Sequence, residues 1–277
     1  MGDDERGPFV RYEVSGGGFA TLTLDSPHNR NAISTRLVAE LRQGLRDAAA
    51  DETVRAVVLT HTGGTFCAGA DLSEASGATG NVSEASGATE HADPAALAAH
   101  RTSQMTELLR AFLELPKPIV GRVDGHVRAG GMGLVGACDL VAAGPASTFA
   151  LTESRLGLAA SIISLTVLPR LTSRAAGRYF LTGEKFGAAE AASIGLITVA
   201  ADDVDASVSA WLADLSLASP QGLAESKSLT TARVLADFDR YGADLAAQSA
   251  RLFGTPEAIE GMTAFLQRRP PAWAPGE

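Results

Sequence analysis

Two glycine-rich stretches hold the residues of this chain whose types and spacing could do chemistry. The first, "HTGGTFCAGADL" (61–72), has glycines at 63, 64 and 69, where the backbone can take unusual angles and another molecule can approach the main chain closely. The second, "AGGMGLVGACD" (129–139), contains Gly131-Met132-Gly133-Leu134-Val135-Gly136, a G-x-G-x-x-G. A dinucleotide fingerprint of that form needs a strand running straight into the first glycine, a helix of several turns, and a second strand ending in an acid about 20 residues on. Glu153 stands near that distance, but the intervening residues do not fit. "GHVRAG" (125–130) separates the preceding strand from Gly131, and "DLVAAGP" makes a strand and a break soon after Gly136. The helix between them is too short to cross back over a sheet in a parallel β-α-β unit.

The glycines suit another task. A loop turning into a helix at Gly130-Gly131 leaves backbone N–H groups unpaired, with the positive end of the helix dipole behind them. "CAGADL" could supply a second donor. Two peptide N–H groups converging on one carbonyl oxygen make an oxyanion hole, and losing one such donor costs about 10²–10³ in rate.

Other chemistries find less support. With 23 Lys+Arg against 32 Asp+Glu the net charge is -9, which repels phosphate backbones and anionic membranes, and no local basic patch overrides it. Nucleic acid and membrane are therefore not expected partners. The start "MGDDERGPFV" lacks the layout of a signal peptide and no apolar run approaches the roughly 20 residues that span a bilayer, so a cytoplasmic protein is expected. Cys67 and Cys138 are too few for a disulfide framework or a four-ligand zinc site and are expected as small buried residues. The histidines at 28, 61, 91, 100 and 126 show no metal-ligand spacing. There is no G-x-S-x-G elbow for a serine hydrolase.

The elements that must position these loops follow from periodicity. "FATLTLD" (19–25) alternates as a strand, with Ala20, Leu22 and Leu24 on one face. Arg36 to Ala49 carries Leu37, Leu41, Leu45 and Ala48 at helical spacing, and "RAVVLT" (55–60) is a strand. From Asp93 to about Leu115 a helix is predicted, with Leu97, Met105, Leu108, Leu109 and Phe112 forming one buried stripe before Pro116 and Pro118. "IVGRVD" (119–124) and "DLVAA" (139–143) are strands. Helices are predicted near 160–170, 173–181, 188–194, 204–217, 221–237, 240–253 and 255–267. "SEASGAT" occurs at 73–79 and again at 83–89 with no apolar face, which reads as a surface insertion or a lid over a nearby site.

Taken together, "LTLDSPHNRNAIS", "GGTFCAGADL", "DGHVRAGGMGLVGACDLVAA", "FALTESRLGL", "YFLTGEKFGAAEAASIGLI" and "EGMTAFLQRRPP" resemble the crotonase, or enoyl-CoA hydratase/isomerase, superfamily over nearly the whole chain. The resemblance implies an α/β crotonase-like spiral of ββα units: residues 1–200 as the core with CoA and oxyanion loops, and 201–277 as a helical trimerisation region. It implies an acyl-CoA thioester as substrate, no cofactor beyond the coenzyme A carried by that substrate, and a homotrimer or dimer of trimers. Carried over by position, the N–H groups of Ala70 and Gly130 grip the thioester carbonyl. Ala68, Gly69, Asp71, Leu72 and Gly131 line the CoA, and Glu153 is the catalytic glutamate.

One departure changes the expected chemistry. Two-acid hydratases of the family carry a second carboxylate in the helix after the glycines, at the position of Gly133 here. One carboxylate can move a proton from C2 to C4, or activate a water and then supply the C2 proton; each positioned acid or base contributes typically 10²–10⁴-fold. The resemblance thus implies a hydratase first, a 3,2-enoyl-CoA isomerase second, and a weakly catalytic acyl-CoA-binding protein as the non-enzymatic alternative. Arg128, before the second glycine pair, could pair with a substrate carboxylate, or instead make a structural contact to a backbone carbonyl or a neighbouring subunit.

Overall fold

The computed structural model describes residues 7–75 and 94–275; the second "SEASGAT" lies outside them, as does most of the first. The main sheet has six strands: β1 (Val10–Val14), β2 (Phe19–Leu24), β3 (Ala56–His61), β5 (Ile119–Val123), β7 (Leu140–Ala143) and β10 (Val199–Ala200), in that spatial order. A second sheet runs β4 (Thr65–Cys67), β6 (His126–Arg128), β8 (Thr148–Ala150), β9 (Phe186–Gly187). β1 pairs antiparallel with β2, and every other neighbour in the main sheet is parallel. The chain therefore steps from the main sheet to the small one and back at each turn of the spiral, which is the crotonase-like fold expected from the sequence.

Parallel strands covered on both faces read as continuous apolar runs. "AVVL" of β3 is buried throughout, whereas β2 buries only Ala20, Leu22 and Leu24, as its alternation predicts. Between β2 and β3, α1 (Thr35–Ala50) begins on the Ser34 hydroxyl, which accepts from the Leu37 N–H, and buries Leu37, Leu41, Leu45 and Ala48. After β4 come α2 (Leu72–Ala75) and α3 (Pro94–Glu114); α4 (Gly130–Ala137) links β6 to β7. Helices α5 (Ser161–Val167), α6 (Ser173–Thr182) and α7 (Ala188–Ser193) precede β10; α8 (Val204–Leu217), α9 (Pro220–Phe253) and α10 (Pro256–Leu266) complete the chain.

Two expectations are corrected. Residues 221–237 and 240–253 form one helix, α9, because nothing between them stops a helix: Phe238 is buried, Asp239 pairs with Arg110 of α3 at 2.6 Å, and Gly242 costs only about 1 kcal/mol. Leu97 of the predicted core stripe is 39% exposed and faces a cavity rather than the core.

α9 is pinned by a buried cation. The Lys227 ammonium donates to the carbonyls of Phe112 and Lys117 and pairs with Asp139 at 2.8 Å, tying α9 to the turn between α3 and β5.

Candidate active site

A cavity of about 830 Å³ opens between α1, α3, α5, the end of α9 and α10. Its wall brings together Ala68, Ala70, Asp71, Leu72, Gly130 and Glu153 from three separate parts of the sequence, with Ile33, Met105, Ile162, Ile163, Phe253, Met262 and Phe265 supplying apolar surface.

The local chain path explains why two donors face it. Ile33 bridges to the first glycine loop: its N–H donates to the Gly69 carbonyl, and the Asp71 N–H donates to the Ile33 carbonyl. That parallel pairing turns the Ala70 N–H away from Ile33, and it finds no acceptor among the described residues. Gly130 is the first residue of α4, so its N–H has no intrahelical partner, and it too finds none elsewhere among them. The two loops abut. A β-carbon at Gly69, where φ is +90°, would stand 2.8 Å from the Ala129 Cβ and 3.6 Å from the Gly130 nitrogen. A β-carbon at Gly130 would meet Ile33 Cδ1 at 2.7 Å. Ala129 itself sits at φ 45°, a strained angle for a residue with a side chain, and so aims the start of α4 into the cavity.

Glu153 reaches the same cavity on a short 3-10 turn, Glu153–Leu156, just past β8. The turn is fixed from both sides: Ser154 and Arg155 donate to the carbonyls of Leu181 and Thr182, and α10 packs directly on its backbone. Glycines permit that approach, since a β-carbon at Gly261 would lie 2.5 Å from the Leu156 carbonyl oxygen and one at Gly157 would lie 2.7 Å from the Glu257 backbone. The Glu153 Oε2 is buried and has no hydrogen-bond partner among the described residues. Burial raises the carboxyl pKa to about 7, partly offset by the residue's own N–H. Near neutral pH this carboxyl can both take and give a proton.

The remaining candidate residues fall elsewhere. Gly69 and Gly131 lie behind the cavity wall; a β-carbon at Gly131 would strike Cys67 Cβ at 2.7 Å. Arg128 does not reach the cavity: its guanidinium donates to the carbonyls of Val127 and Thr148 and to the Thr148 hydroxyl, so it is occupied by the backbone and not offered to a substrate carboxylate. Cys67 and Cys138 are buried, and burial pushes both thiols up to about 12. No cluster among the described residues has the make-up of a metal site, and no helix among them is long and apolar enough to cross a membrane.

The glycines of G-x-G-x-x-G acquire a packing role. Gly131 lies on Cys67, Gly133 on Ile163, and Gly136 on the Thr166 carbonyl, where a β-carbon would come within 2.7 Å. Gly133 and Gly136 let α4 lie close on α5, and Gly131 lets it lie close on β4. Sequence reasoning missed Arg101 and Gln104, which also line the cavity. The available clue was an arginine four residues from both Leu97 and Met105, on an otherwise apolar helix face.

Comparison with known proteins gives the family and the fold. The family model described as enoyl-CoA hydratase/isomerase matches residues 15–276. The fold is similar to the crystal structure of an enoyl-CoA hydratase from Mycobacterium avium, with a TM-score of 0.86 and 54% identity over 96% of this chain and 99% of that one. A carnitinyl-CoA hydratase from Mycobacterium avium aligns at TM-score 0.77 and 27% identity, over 96% of this chain and 98% of that one. The 1,2-epoxyphenylacetyl-CoA isomerase of Escherichia coli (strain K12) is 29% identical over 262 residues, 92% of this chain and 94% of its own length. With donor loops, buried glutamate and family match all in the same frame, the chain belongs to the enoyl-CoA hydratase/isomerase family.

Proposed function

We propose that this protein is an enoyl-CoA hydratase that adds water across the double bond of a 2-enoyl-CoA with one carboxyl group. The observation that carries the reading is Glu153: a carboxyl whose buried Oε2 has no hydrogen-bond partner among the described residues, on the wall of the cavity that also holds the Ala70 and Gly130 N–H groups, which find no acceptor among them.

The thioester oxygen accepts from Ala70 and Gly130, which stabilises negative charge as it develops there. Ionised Glu153 takes a proton from water while the hydroxyl adds to C3, and the electron pair of the double bond moves into the thioester as an enolate. Protonated Glu153 then returns the same proton to C2, giving 3-hydroxyacyl-CoA and restoring the carboxylate. Atoms and charge balance with no second acid and no cofactor beyond the CoA of the substrate.

A second reading rests on the same count of one carboxyl: Glu153 removes a C2 proton from a 3-enoyl-CoA and delivers it to C4. Assaying 2-enoyl-CoA for 3-hydroxyacyl-CoA and 3-enoyl-CoA for 2-enoyl-CoA separates the two. Formation of the hydroxyacyl product supports the hydratase; isomerisation with no hydration replaces it.

A further inference from the structure

Arg101 lies on the cavity wall with donors to spare. One terminal nitrogen donates to the Glu74 carbonyl at 2.8 Å, while its Nε is buried with no acceptor among the described residues. A buried donor left without a partner calls for an explanation. Gln104, three residues on and therefore a neighbour on the helix surface, faces the same cavity.

The position relates to the site already described. Met105 packs within 3.9 Å of the β-carbon position of Gly130. Arg101 precedes Met105 by four residues, so the two share a face of α3 about one helical turn, ~5.4 Å, apart. An acyl chain whose carbonyl is held at Gly130 can extend along α3 to the guanidinium within a few carbons.

The charge is already balanced. Glu74 Oε2 lies 3.7 Å from Arg101, and the same carboxylate is held by the Thr35 N–H and hydroxyl at 3.1 and 3.0 Å. Arg101 thus has its counter-charge and one hydrogen bond, with its Nε left unpaired among the described residues. A second carboxylate in the cavity would face Glu74, whereas an uncharged oxygen would meet the guanidinium without that repulsion.

We propose that Arg101, with Gln104, recognises an uncharged acceptor oxygen, hydroxyl or carbonyl, on the acyl tail, making this a protein for oxygenated acyl-CoA thioesters. The proposal deepens the enoyl-CoA reading and rests on it for the placement of the thioester.

The test is binding, so it does not depend on turnover. Saturated ω-hydroxyacyl-CoA thioesters of four to eight carbons are titrated by calorimetry against the unsubstituted acyl-CoA and the ω-carboxyacyl-CoA of equal length. The expected result is a preference of about tenfold for a hydroxylated ligand at one chain length. No gain is expected from the carboxylate, and Arg101→Met and Arg101→Gln should abolish the preference. The wild-type ratio needs no variant, so a variant that fails to fold does not remove the test. Equal affinity for hydroxylated and plain chains at every length, tightest binding of the carboxylate, or a preference that survives in a folded Arg101 variant each overturns the proposal. Such a result leaves the hydratase reading standing, while absence of hydration leaves the binding preference standing.

Discussion

A β-carbon at Gly133 would stand 2.6 Å from Cγ2 of Ile163 and 3.4 Å from Cδ1 of Leu109. The place where the family resemblance leads one to expect a second acid is thus filled by neighbouring apolar side chains. It is closed to a carboxylate as well as lacking one. Gly133→Glu should therefore destabilise the protein by about 2 kcal/mol or more through overpacking and an unpaired buried charge, with no gain in hydration. Thermal melts beside the hydratase assay check this, and adding Ile163→Ala should recover part of the loss. A Gly133→Glu protein as stable as the wild type, hydrating faster, would show that the space is open.

Burial of Glu153 has a stability consequence with a definite sign. Its pKa in the fold is about 7 against an ordinary 4.5, so the folded state holds the proton more tightly than the unfolded state. This group's contribution is fully present below pH 4.5 and is lost as pH rises through 7. At about 1.4 kcal/mol per unit, the loss is roughly 3 kcal/mol. Glu153→Gln removes that penalty, so urea titrations should find the variant more stable than the wild type at pH 8 and little different at pH 4.5. A constant difference across that range contradicts the burial of the charge.

The same group sets the pH dependence of catalysis. With one carboxyl that must be ionised to begin, kcat/KM for hydration should rise on a single limb with an apparent pKa of about 7 and then level, rather than follow the bell of an acid and base acting together. Initial rates across pH 5 to 9, taken at low substrate concentration, give the curve. A bell with both limbs belonging to the free enzyme would require a second acid.

Gly261 holds the Glu153 turn from a distance. Alanine ordinarily favours a helix interior by about 1 kcal/mol over glycine. At Gly261, however, the added carbon meets the Leu156 carbonyl oxygen at 2.5 Å, and backbone cannot yield cheaply. Gly261→Ala should lower both the melting temperature and kcat. As the turn shifts and water reaches the carboxyl, the apparent pKa of the rate profile should fall. A lower melting temperature with an unmoved profile would give Gly261 a purely structural role.

The long elements were legible in the sequence because they bury a regular stripe. Leu37, Leu41, Leu45 and Ala48 mark α1, and the alternation of Ala20, Leu22 and Leu24 marks β2. The small sheet was not legible: β4, β6 and β8 have three residues each and β9 two, too few for a period, and their pairing partners are distant in sequence. β1 was also missed, since "VRYEV" at the sheet edge buries little beyond Val10. Glu153 and Ala70 came from resemblance and Gly130 first from its place where a glycine loop turns into a helix; all three share one wall, whereas Arg128 illustrates a limit. Its type suggested an anion site, but whether an arginine faces a cavity or its own strand depends on neighbours such as Thr148 that periodicity cannot place.

The most direct test of the central claim is to incubate the purified protein with 2-enoyl-CoA in 18O-labelled water and to follow the product by mass, with Glu153→Gln alongside. The account predicts 3-hydroxyacyl-CoA carrying one labelled oxygen, formed at least about a hundredfold more slowly by a folded Glu153→Gln protein. Labelled product formed equally fast by that variant, or no labelled product from the wild type, would contradict it.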